Sequence, residues 1–118
     1  MTTPHITIAQ HFDGRAKDVL ATFDRIMAIA REWGDIKTEA KKTAIHLMKT
    51  ETAFAVIGTR KDYLILTVKV ENDIRSPRVV KHEQTASGKW QIDIKLTNAK
   101  EVDHELQQWM RASYLLAK

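Results

Sequence analysis

Two stretches with the apolar spacing of a helix bracket a middle where that spacing drops to two, and this order leaves few folds open. The first stretch follows Asp13, a residue suited to capping a helix start, and sets Val19, Leu20, Phe23, Ile26, Met27, Ala30 and Trp33 along one stripe. Gly34 then supplies the permissive residue favoured after a helix end. The second stretch opens at Asn98, with Glu101 three residues on as a capping-box pair, and aligns Val102, Leu106, Trp109, Met110, Ser113 and Ala117. Between them, residues 63–70 alternate Leu64, Leu66, Val68 and Val70 with wetter positions, and residues 90–96 do the same with Trp90, Ile92, Ile94 and Leu96. Residues 44–50 and 53–58 read as two more strands joined by a tight turn, and Ile36–Ala40 as a short extra one. Residues 71–88, with Pro77, Ser87 and Gly88 and no clear period, read as a long loop.

The expected fold is therefore α+β: an antiparallel sheet of four or five strands with an N-terminal and a C-terminal helix on one face. The core would combine Phe23, Ile26, Met27 and Trp33 with Leu64, Leu66, Val68, Ile92, Ile94, Leu106, Trp109 and Met110. The other face would stay wet, as an antiparallel sheet tolerates, and would carry Lys69, Asp93, Lys95, His46 and Ile65. A single domain over residues 1–118 is expected, with residues 1–11 loosely held. The 118 residues include no cysteine, which excludes disulfides, thiolate catalysis and cysteine-bound metals and suits a reducing cytosol. No apolar run reaches the length of a membrane span, and the first ten residues lack the pattern of a signal peptide, so the expected location is cytoplasmic.

Catalytic patterns are scarce. No nucleophile elbow surrounds Ser76, Ser87 or Ser113, and residues 87–90 lack the spacing of a phosphate-binding loop. His11 with Asp13, and His82 with Glu83, lack metal-site spacing, while Glu101, His104 and Glu105 read as a solvated helix face. No catalytic residue, metal ligand or cofactor is assigned. The usable feature is charge. The net charge is +4, and the stretch 75–89 sets Arg75, Arg78, Lys81 and Lys89 against Glu83 alone. Pro77 stiffens the backbone between the two guanidinium groups. Lys69 and Lys95 alternate outward on the strands that bound this stretch, so the six basic residues would merge into one patch if those strands are neighbours. Such a patch attracts phosphate backbones, and the expected partner is nucleic acid or another phosphate-rich ligand. Tyr63 and Phe54 are the aromatics available for stacking. Two other readings stand beside this one. One is a small-molecule pocket between helices and sheet edge; the other is self-association as a homodimer through Met48, Ile65 and Ile57 on the open face.

The segments HFDGRAKDVLATFDRI (11–26), KKTAIHLMKTETAFAVI (41–57) and EVDHELQQWMRASYLLAK (101–118) resemble a group of small bacterial and archaeal domains of unknown function. Members of that group stand alone or follow a nuclease-like domain, and are sometimes labelled predicted transport proteins. The two-helix, antiparallel-sheet plan resembles the MmcQ/YjbR-like proteins and, more distantly, the frataxin-like fold. The resemblance implies the fold and a basic element after the third long strand, matched by Arg75 and Arg78 in IRSPR. It implies no catalytic residue. The acidic ridge of frataxins is missing, since Arg15, Lys17, Arg25 and Arg31 offset Asp18, Asp24 and Glu32.

Overall fold

The computed structural model describes residues 7–117. Helix α1 (Lys17–Ala30) is followed by strands β1 (Ile36–Ala40), β2 (Ile45–Lys49), β3 (Thr52–Thr59), β4 (Leu64–Val70), β5 (Val79–Ala86) and β6 (Lys89–Leu96), then helix α2 (His104–Leu116). The strands form one open antiparallel sheet in the order β1-β2-β3-β4-β6-β5. It has six strands where the sequence pattern suggests four or five. The short strand at Ile36–Ala40 is present, and the additional one is β5, in the stretch read as a loop. The sequence of β5, VVKHEQTA, carries no apolar alternation because nearly every residue of the strand is exposed on both faces. It pairs only with β6, through a two-residue turn at Ser87 and Gly88, where Gly88 adopts φ +68°.

Register separates the two faces. One row across all six strands runs Thr38, Leu47, Ala55, Val68, Ile92, His82, and its four central members are buried. The next row runs Glu39, His46, Val56, Thr67, Asp93, Lys81 on the opposite, wetter face. The buried stripe of α1 (Val19, Phe23, Ile26, Met27, Ala30) and that of α2 (Leu106, Met110) join the inner face in one cluster. Ile57 belongs to that cluster and is fully buried, so it cannot anchor self-association from the outer face. Phe54 is likewise inside, at 2% exposure, because a bulge in β3 turns it and Ala55 inward together. It is no stacking platform. Trp33, Trp90 and Trp109 sit at the rim of the core, half-buried.

The helix ends differ from the sequence reading in detail. Asp13 does not cap α1. It follows a 3-10 turn at Ala9–Phe12, and the helix starts after Ala16, whose N–H donates to the Lys61 carbonyl. Within the stretch expected to be loosely held, His11 is buried, its Nε2 lies 2.7 Å from the Lys41 carbonyl, and its own carbonyl accepts from the Thr59 hydroxyl at 2.5 Å. The remainder of the stretch expected to be loose, residues 1–6, lies outside the described residues. Asn98 and Glu101 do form the capping box, but around a 3-10 turn at Ala99–Glu101; Asp103 caps α2 itself by accepting from Leu106 N–H at 3.0 Å.

Ser113 does more than leave room for packing. The bulge removes Phe54 from the register with both neighbouring strands, and Lys69 has no partner residue on β3. The Ser113 hydroxyl donates to the Phe54 carbonyl at 2.5 Å and accepts from Lys69 N–H at 2.9 Å. One buried side chain thus completes the ladder where the strands cannot. Ser113→Ala should leave two backbone groups unpaired and destabilise the protein by about 2–4 kcal/mol in urea unfolding, with an unchanged slope. Ser87→Ala in the exposed hairpin turn should shift stability by less than about 0.5 kcal/mol.

Candidate functional site

The six basic residues separate into two groups on opposite sides of the sheet. Lys81 stands opposite Asp93, Lys69 opposite Gln91 and Lys95 opposite Ile65, all on the outer face. Lys89 shares that face by its two-residue spacing along β6 with Gln91, Asp93 and Lys95. β4 and β6 are neighbours, as the merged patch requires, and β5 adds Lys81 on the far side of β6. All four lysines are exposed, and no ion pair among the described residues engages any of them. Asp93, the carboxylate closest in register, accepts a hydrogen bond from the Thr67 hydroxyl at 2.7 Å. The Lys95 ammonium sits 4.4 Å from the centre of the Tyr63 ring, which joins an aromatic surface to the charged one.

The two arginines leave that face. Arg78 turns towards the start of α2, where its Nη1 donates to both carboxylate oxygens of Asp103 at 3.0 and 3.2 Å and lies 3.6 Å from Glu105. Its Nη2 donates to the Glu101 carbonyl, and the guanidinium lies 5.7 Å from the centre of the Trp109 ring. With 17% of its side chain exposed, it fastens the sheet edge to α2 and has little left for a partner. Arg75 is open to solvent, at 89%, with its Nε 3.5 Å from Asp73 Oδ2.

Asp73 is the residue that sequence reasoning misses. Only 15% exposed, it also lies 2.9 Å from His82 Nδ1, so one carboxylate contacts both Arg75 and His82. In the chain His82 neighbours Glu83, but register sends Glu83 to the outer face opposite Gln91 and His82 to the inner row. No spacing rule links residues 73 and 82, because the curl of a loop sets their approach. Other histidines are dispersed. His46 lies in the outer row between Glu39 and Val56, and His104 meets Gln108 at 3.0 Å. Glu101 is taken up by Thr97 and Asn98, so it does not join His104 and Glu105. Among the described residues no group of three or more His, Asp or Glu side chains is placed to hold a metal.

Two grooves follow the C-terminal half of α2. One, of about 580 Å³, runs between Val70, Asp73, Ile74, Trp109 and Leu116; the other, of about 660 Å³, lies at the sheet end between Lys69, Lys89, Trp90 and Leu116. No helix among the described residues is long and apolar enough to cross a membrane.

The Arg78 anchor sets a pH response. The Asp103 carboxyl is held below its ordinary value of 3.8, first by the Leu106 N–H and then by Arg78. For Glu101, burial pushes upward, but hydrogen bonds from Thr97 and Asn98 and the charge of Arg78 outweigh it and leave the group below 4.5. A carboxyl with a lowered folded-state value stabilises the protein above its unfolded-state value and loses that contribution as pH falls through the folded-state one. Unfolding free energy should therefore decline below about pH 5, and Arg78→Ala should flatten that decline while costing about 2 kcal/mol at neutral pH. Urea unfolding across pH, for both chains, checks both outcomes.

No curated protein and no solved structure matches the chain. Residues 8–117 match the family model described as a domain of unknown function (DUF5655), and the chain belongs to that family.

Proposed function

We propose that this protein is a non-catalytic, cytoplasmic binding module that holds single-stranded nucleic acid, or a similar phosphate-rich chain, against the open face of its sheet. We also read its plan as of the MmcQ/YjbR kind. The observation that carries the reading is the register: Lys69, Lys81, Lys89 and Lys95 lie on three neighbouring strands of a face that neither helix covers. At the usual strand separation and rise, they span about 10 by 20 Å. Lysines are mobile point charges suited to following a backbone, and they offer no planar fork for reading bases, so the contact is largely sequence-independent. Tyr63, beneath Lys95, supports one stacked base, and the half-buried Val56 and Ile65 give the face an apolar floor. Arg75 and Arg78, basic in the sequence, are left out of this surface: Arg78 is spent on α2, and Arg75 faces the other side.

Fluorescence anisotropy with a labelled single strand tests the proposal. Affinity should fall with salt at a log–log slope of up to about −2.8, the value for four neutralised phosphates on a single strand. Replacing any one lysine by alanine should make the slope about 0.7 shallower. Arg78→Ala should change stability without changing the slope. Absence of binding at low salt, or a slope unaffected by removing all four lysines, would sink the reading.

A small-molecule site is the second reading, favoured by the groove between α2 and the sheet edge, where Leu115 and Leu116 are 63% and 43% exposed. It predicts a metabolite that raises the melting temperature of the native chain and no longer does so after Trp109→Ala.

A further inference from the structure

The inner face of the sheet continues past the helices onto β5, and Arg75, Ser76 and His82 there line neither the lysine face nor the grooves along α2. Ile74, Arg75, Ser76, Val79 and His82 line an open hollow of about 320 Å³. Three of them carry hydrogen-bond donors. Arg75 contacts Asp73 through Nε, which leaves both terminal nitrogens of its guanidinium free of that carboxylate. His82 contacts Asp73 through Nδ1, so the ring's other nitrogen, Nε2, faces away from the carboxylate. The Ser76 oxygen accepts from Arg78 N–H at 3.2 Å, and its own proton remains to be donated. Trp90 lies parallel to the His82 ring, 6.1 Å between centres and 16° between planes, and backs it on the sheet.

Asp73 is placed as a brace. Its Oδ1 is shut off from solvent and has no aligned hydrogen-bond donor, although His82 Nδ1 stands 2.9 Å away. The carboxylate lies against both Arg75 and His82, two of the residues that line the hollow. With Nδ1 on the Asp73 side, Nε2 is the ring nitrogen left to meet an approaching anion. A guanidinium fork, an imidazole nitrogen and a hydroxyl around one small volume suit the terminal oxygens of a tetrahedral oxyanion.

We propose that Arg75, Ser76 and His82, braced by Asp73, form a binding site for a phosphate monoester, on the side of the sheet opposite the lysine face. The source of the monoester is either a small metabolite or the phosphorylated end of a nucleic-acid strand. The site does not depend on the lysine face.

The test is a titration of the isotope-labelled full chain, followed by amide and imidazole resonances, with inorganic phosphate, with AMP, and with one short oligonucleotide bearing a 5′-phosphate or a 5′-hydroxyl. Saturable shifts centred on residues 73–76 and 82 with phosphate and AMP are expected. Arg75→Ala, at an exposed position that should leave the fold intact, and His82→Gln should each weaken binding at least about tenfold. Asp73→Asn is the discriminating variant. Simple electrostatics makes it bind anions more tightly, since it removes a negative charge; a brace makes it bind more weakly, since the donors lose their support. Tighter binding in Asp73→Asn, or shifts confined to Lys69, Lys81, Lys89 and Lys95, would overturn the proposal. If the 5′-phosphate strand binds more tightly than both AMP and the 5′-hydroxyl strand, the site takes a strand end; if AMP matches it, the site takes a small metabolite. The 5′-hydroxyl strand alone reports on the lysine face, so either proposal can fail while the other stands.

Discussion

The fold turns on a shortage of backbone partners in β3. A bulge at Phe54 lets two consecutive residues, Phe54 and Ala55, face the core, and this widens the apolar surface under the helices. It also leaves a buried carbonyl with no strand to pair with, a cost that a protein interior does not tolerate. The Ser113 hydroxyl meets it, together with the N–H of Lys69, and so fixes where α2 crosses the sheet. The rest follows from that crossing. One residue on, Tyr114 packs edge-on against Phe54 and donates its hydroxyl to the Trp33 carbonyl at 3.2 Å. A side chain at position 34 would come within 2.8 Å of that hydroxyl, so Gly34 is needed for this close approach as well as for its φ of +156°.

The same placement decides what each cation can do. With α2 fixed at Ser113, its first turn brings Asp103 and Glu105 to the sheet edge beside Arg78. An arginine with a bidentate carboxylate, a carbonyl and an aromatic ring around it is committed to structure. The lysines of the outer face, among the described residues, have no carboxylate or carbonyl holding them, because neither helix covers that side. A two-layer fold with both helices on one face therefore sorts its positive charge: cations near helix ends are consumed, and cations on the bare face remain available.

Much of this was legible in the residues, and the unread part has common physical causes. Helices and core strands showed because one-sided burial imposes a period, and Val19, Phe23, Leu66 and Ile94 all fall where that period puts them. β5 was invisible for the converse reason: an edge strand exposed on both sides has no apolar period to display. Phe54 escapes the alternation because a bulge shifts it by one residue, and nothing local announces it, whereas Ile57 keeps the parity of Ala55 and Thr59 and faces the core. The outward direction of Lys69 and Lys95 could be read from their own strands. The diversion of Arg78 could not, since its partners lie 23 to 27 residues further along the chain.

Asp73 and His82 extend that lesson from structure to function. Each is unremarkable in sequence, one in a loop without period and the other in a strand without one. The Glu83 carboxylate beside His82 in the chain faces the opposite side of the sheet. What brings Asp73, Arg75 and His82 together is the position of the edge strand: β5 carries the inner face beyond the reach of the helices, so its inward side chains meet a loop and solvent instead of a core. Polar residues there escape the burial cost that keeps them out of the same row one strand away, at Ile92. An inner face that outruns its helices thus creates a half-sheltered ledge, and a ledge of this kind can hold charged groups close together without drowning them in water. Its chemistry is set by whichever residues the edge strand and its incoming loop deliver, here an arginine and a histidine against one carboxylate.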